Sequence, residues 1–67
     1  MKVKEAIEYI EGDGWFIVRQ EGSHRQYHHP TKKGTVTIAG QPSANLDRGT
    51  AHKIFKQAQI SWPQGRK

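Results

Sequence analysis

Apolar residues recur at helical spacing at Val3, Ala6, Ile7 and Ile10, while Lys4, Glu5, Glu8 and Glu11 take the positions between. That pattern predicts an amphipathic helix over 3–11 with a buried face and a solvated back. Gly12-Asp13-Gly14 ends it, with Gly12 the expected left-handed cap. Trp15 to Glu21 begins aromatic and β-branched and predicts a strand, although four apolar residues in a row leave its inward face undecided. Glu21-Gly22-Ser23 reads as a hairpin turn into a second strand over 25–29. Tyr27 points inward there with the parity of Arg25 and His29, which leaves His24, Gln26 and His28 on the opposite face. Pro30 stops the pairing, and Thr31-Lys32-Lys33-Gly34 makes a basic turn. Thr35 to Ala39 alternates cleanly as a third strand with Val36 and Ile38 inward. After a polar loop containing Pro42, Asp47 can cap a helix over 48–59, with Leu46 and Ala51 at staple positions. Ala51, Ile54, Phe55 and Ala58 form its apolar stripe. Residues 61–67, with Trp62-Pro63 and a basic end, read as a partly ordered tail.

The order is helix, three strands, helix. Short connections pair the strands antiparallel, and both helices must then cover the same apolar face. The expected fold is α+β, α-β-β-β-α: one domain over 1–60 followed by a basic tail over 61–67. Double-stranded-RNA-binding domains share this order, but so do proteins of unrelated function. At 67 residues the chain supports one small core. It has no cysteine, hence no disulfide or thiolate zinc site, which suits a reducing cytosol. The N-terminus does not lead into an apolar signal core, and no apolar run approaches the roughly 20 residues of a membrane span. The expected location is cytoplasmic.

Eleven Lys and Arg against six Asp and Glu give a net charge of +5 and a pI near 9.9. This favours a polyanionic partner: nucleic acid, a phosphorylated ligand or an acidic protein. In such a chain His24, just after a Gly-Ser turn, is a candidate acid/base group for an anionic substrate. RNA supplies its own nucleophile, the 2′-OH, so cleavage needs a proton-transfer group and cations near the phosphate. An imidazole with an ordinary pKa of about 6.5 suits that task. The bland reading of His24 is a turn histidine bonded to backbone. Ser23 and His28 flank it as candidate RNA contacts. Ser23 otherwise only shapes the turn, and His28 is otherwise a surface histidine. Arg19, Arg25, Lys32, Lys33, Lys53 and Lys56 are the candidate basic rim, and each alone also reads as a solvated charge. His29 reads as structural and Tyr27 as core. No metal site is expected, because His24, His28 and His29 lack a third ligand on one face. Trp62 either covers a core edge or docks a protein.

The run Gly22-Ser23-His24-Arg25-Gln26-Tyr27-His28-His29-Pro30 resembles the Gly-Ser-His-x-x-(Tyr/Phe)-x-His-Pro signature of the HicA toxin family. The resemblance extends to Gly14-Trp15, Arg19-Gln20 and Val36-Thr37-Ile38, and to Gly49-Thr50, Ile54 and Lys56-Gln57-Ala58. It covers roughly residues 3 to 60 in order and spacing. It implies a fold like a double-stranded-RNA-binding domain and the toxin role of a type II toxin–antitoxin system. The implied activity is a metal-independent, cofactor-free endoribonuclease, an mRNA interferase. It would cut mRNA with one histidine, here His24, and so inhibit translation and growth. A HicB-type antitoxin would hold it inactive by covering the active site. Two positions depart from the family pattern. Ala39-Gly40-Gln41-Pro42 replaces a Pro-His-containing loop, which would alter rate or preference if that loop touches RNA. Gln59 replaces a common helix-ending glycine, which predicts an extended or frayed helix end. The competing readings are a non-catalytic RNA-binding module of the same fold and a protein-binding domain with an acidic partner.

Overall fold

A computed structural model describes residues 1–62; of the tail expected over 61–67, residues 63–67 lie outside the described residues. Helix α1 (Val3–Gly12) is followed by strands β1 (Phe16–Glu21), β2 (His24–His28) and β3 (Val36–Ala39) and by helix α2 (Arg48–Ala58). The strands form one antiparallel sheet in the order β1-β2-β3, so the α+β architecture is the one the patterning predicts. Val3, Ala6 and Ile10 of α1 and Ile54, Phe55 and Ala58 of α2 close over Tyr27, Val36 and Ile38. Both helices therefore cover one face of the sheet, and the other face is open. Among the described residues, no helix is long and apolar enough to cross a membrane.

The undecided first strand resolves through Trp15. It precedes the ladder, is 2% exposed, and donates its indole N–H to the Ala58 carbonyl at 3.2 Å. β1 then runs along the sheet edge, beyond the reach of the helices. Ile17, though it pairs with the inward Tyr27, is still 44% exposed.

Both ends of α1 are finished by other parts of the chain. The Val3 and Lys4 amides, which have no partner within the helix, donate to Ala44 O at 2.9 Å and Pro42 O at 3.0 Å. The loop that departs from the family pattern is thus the cap of α1. At the other end the expected left-handed Gly12 is helical. Asp13 is the cap at φ −91°, and Gly14 makes the reversal at φ +108°. Only glycine fits at 14, because a Cβ there would stand 2.9 Å from the His29 ring.

Asp47 caps α2 as expected, accepting from the Thr50 amide at 3.3 Å and the Thr50 hydroxyl at 2.6 Å. The helix neither extends nor frays at its end. Gln59 adopts the left-handed conformation at φ 58°, and its side-chain amide donates to Lys33 O at 3.1 Å. Trp62 covers the core edge. Its ring stacks on His52 at 3.8 Å and leans on Phe55 at 5.0 Å.

Candidate functional site

The site starts from a two-residue turn. Gly22 takes φ +59°, as the first central position of a tight hairpin turn allows without a Cβ penalty. With only Gly22 and Ser23 between the strands, Glu21 and His24 face each other as the first ladder pair. His24 therefore opens β2 rather than preceding it. The turn length fixes the register, and the register fixes the face. Tyr27 is buried, so His24, Gln26 and His28 lie on the open face and are exposed. Thr37 and Ala39 of β3 pair with Gln26 and His24 and share that face. It is a flat sheet surface with no enclosed cavity among the described residues.

One residue reaches this face through an irregularity that patterning does not reveal. The ladder runs Ile17↔Tyr27 and then Arg19↔Gln26, with a bulge between. Strict alternation from Ile17 would turn Arg19 toward the helices. The extra residue, Val18, turns it outward instead, beside His24. There Arg19 forms an ion pair with Glu21. Both groups are well exposed, so the pair contributes little stability and can open toward a ligand. Glu21, which no sequence motif singles out, is directly across the strands from His24, where Cβ atoms lie about 4.5–5.5 Å apart.

The other expected site residues are placed as follows. Arg25 turns inward and is partly buried; one guanidinium nitrogen donates to Ser23 O at 3.2 Å and Gly40 O at 2.9 Å. It staples the turn before His24 to the loop after β3, and the Gly40 amide joins it on Ser23 O at 3.1 Å. Ser23 contributes its carbonyl to this staple. Lys32 is likewise engaged, donating to Asp13 Oδ2 at 2.6 Å, Gln59 O at 3.0 Å and Ala58 O at 3.3 Å. Lys33 is exposed in the β2–β3 connection. Lys53 and Lys56 are exposed on α2, whose apolar stripe covers the far side of the sheet, so the structure does not bring them to His24. The basic residues thus do not form one rim. Arg19 shares the His24 face, Arg25 and Lys32 brace the fold, and Lys53 and Lys56 belong to the helical layer.

The histidines separate in the same way. The His28 ring meets the Thr35 hydroxyl at 3.3 Å on the open face. His29 faces the other way. Its Nε2 donates to Asp13 O at 2.7 Å, and its Nδ1 accepts from the Thr31 and Lys32 amides at 3.1 Å each. It also lies edge-on to Trp15 at 5.2 Å, so it is structural, as its parity predicts. His29 cannot join His24 and His28 around one metal. Among the described residues, no three His, Asp or Glu side chains are grouped to hold an ion.

Asp13, His29 and Lys32 tie the end of α1, the end of β2 and the end of α2 together. The hydrogen bond from Lys32 lowers the Asp13 pKa from its ordinary 3.8. The Thr50 hydroxyl and amide lower that of Asp47. A carboxyl whose folded pKa is depressed binds fewer protons than in the unfolded chain. Its contribution is intact above the ordinary value and fades as pH falls through the folded one. Stability should therefore begin to fall as pH drops below about 3.8. Asp13→Asn should lower the melting temperature at pH 7 and shrink the difference between pH 7 and pH 3. An unchanged difference in that variant would remove Asp13 from the acid response. Tyr27 shows the opposite case: burial, with the Glu11 charge as a second cause, raises its phenol pKa and keeps the ring neutral in the core.

Among curated proteins, none matches this chain. The model of a protein family does match it: the HicA toxin of bacterial toxin–antitoxin systems, over residues 3–60. The match takes in both helices, all three strands and the Gly22–His24 turn. It implies a cognate antitoxin as partner, and this chain, an α-β-β-β-α domain with an open histidine-bearing sheet face, belongs to the HicA toxin family.

Proposed function

We propose that the chain is an mRNA interferase, an endoribonuclease that cuts RNA at the open sheet face with His24 as its acid/base group. The observation that carries this reading is the exposed His24 at the first ladder position after the Gly22-Ser23 turn, in a chain of net charge +5. The 2′-OH of the substrate attacks the adjacent phosphorus, the 5′-oxygen of the next nucleotide leaves, and the products are a 2′,3′-cyclic phosphate and a 5′-OH. One proton leaves the 2′-OH and one reaches the departing oxygen, and His24 carries one of these transfers. Arg19, released from Glu21, stabilises charge on the phosphorane. Neither step needs a metal or a cofactor. His28 stands four residues along the strand from His24, about 13 Å away at the usual rise. It cannot act on the same phosphate, since reacting atoms must approach to about 3–3.5 Å. Its role is to contact flanking RNA. Loss of intact messages would arrest translation and growth in the cytoplasm, and a HicB-type antitoxin seated over the same face would prevent it.

The test is incubation of purified chain with RNA in the presence of EDTA, with analysis of product ends. Cleavage should persist and leave cyclic phosphate and 5′-OH ends. Binding should weaken steeply with salt, because phosphate contacts release counterions. Salt-sensitive binding with no products would instead favour a non-catalytic RNA-binding module.

A further inference from the structure

Phe16 is 49% exposed, and its placement differs from that of its apolar neighbours. Ile17 is exposed because it faces the helix side of the sheet where no helix reaches. Phe16 pairs with His28, and His28 has the outward parity of His24. Phe16 therefore stands on the open face, which no element among the described residues covers. A large aromatic ring left half exposed there gives the fold less than a core ring does and invites aggregation, so folding does not fully account for it.

Its surroundings are those of a stacking platform. Phe16 and His28 are cross-strand neighbours, with Cβ atoms about 4.5–5.5 Å apart. Thr35 holds the His28 ring from the β3 side at 3.3 Å. The Gln26 amide and the Arg19 guanidinium lie two ladder pairs nearer to His24, the next pair on the same face, available to a base edge and a phosphate. Among the described strand residues of this face the one carboxylate is Glu21, which is paired with Arg19.

We propose that Phe16 and His28 form a subsite for one unpaired nucleobase of single-stranded RNA. The subsite rests on the reading of this face as an RNA-cleaving surface and gives it a substrate class. Base–aromatic stacking is indifferent to sequence, since every base presents a π-face. A base within a duplex has both faces covered by its neighbours, so the platform selects unpaired strands despite a fold shared with double-stranded-RNA binders. The stacked base lies about 13 Å along the strand from His24. It therefore belongs to a nucleotide flanking the cleaved bond.

The test uses the full chain and a single-stranded 2′-O-methyl oligoribonucleotide carrying 2-aminopurine, which lacks the nucleophile and cannot be cut. Stacking on Phe16 should quench the 2-aminopurine fluorescence. Phe16→Ser should weaken binding roughly tenfold and abolish the quenching. Phe16→Leu, which keeps apolar area without a ring, should also lose the quenching and guards against a folding artefact. The same sequence as a duplex should bind without quenching. If Phe16→Ser binds as tightly as the parent, the platform is overturned while cleavage at His24 stands. If the parent does not bind the oligonucleotide at all, both readings fall.

Discussion

His24→Ala should leave the domain folded and lose RNA cleavage by at least about a hundredfold, the lower end of what a positioned proton-transfer group supplies. The side chain is exposed, so its removal leaves no cavity and orphans no buried group. Melting temperature and circular dichroism should match the parent. Its backbone remains fixed by the Glu21 and Ala39 pairings and by the Arg25 staple on Ser23 O. RNA affinity should fall little, because the phosphate and base contacts assigned to Arg19, Phe16 and His28 remain. The expected signature is thus a collapse of turnover with affinity and stability retained. Full activity in a well-folded His24→Ala protein would sink the acid/base assignment.

The parts of this site legible in the sequence are those set by short-range geometry. The Gly22-Ser23 turn and the buried Tyr27 fix the faces of His24, Gln26, His28 and His29 without reference to any distant residue. The cap at Asp47 is equally local. What is not legible depends on partners far along the chain. Arg25 and Lys32 count as surface cations in composition, yet they spend their donors on carbonyls at Gly40, Ala58 and Gln59. Gly12 reads as the helix stop, but Gly14 makes the reversal, and the His29 ring that fills the space beside it lies fifteen residues further on. The bulge at Val18 leaves no mark in a run of apolar residues, although it brings Arg19 to the open face. The stretch 39–42 reads only as a departure from a family motif, and nothing local in it shows that the Pro42 carbonyl, with that of Ala44, caps a helix at the other end of the sequence.

Trp15→Ala should be the most destabilising single truncation in the chain. Replacing a buried aromatic by alanine costs about 3–5 kcal/mol. A domain of this size has roughly 3–10 kcal/mol in all at 0.05–0.15 per residue. Trp15 is also a junction. Its indole N–H holds the last carbonyl of α2 at 3.2 Å, and the His29 ring lies edge-on to it. Its loss removes the buried support for His29, and with it the anchor of the Asp13–His29–Lys32 tie at the far end of β2. At about 4–8 °C per kcal/mol for a domain of this length, the melting temperature should drop by roughly 12–40 °C, enough to unfold much of the protein at 37 °C. Trp15→Phe keeps most of the apolar volume but loses the hydrogen bond to Ala58, and it should retain the fold with a smaller drop. The two variants separate packing from hydrogen bonding, and both contrast with His24→Ala. Trp15→Ala should lose activity in proportion to the unfolded fraction and regain it on cooling, whereas His24→Ala should be inactive at every temperature at which it is folded. A Trp15→Ala protein that melts within a few degrees of the parent would mean that this ring does not join α2 to the sheet.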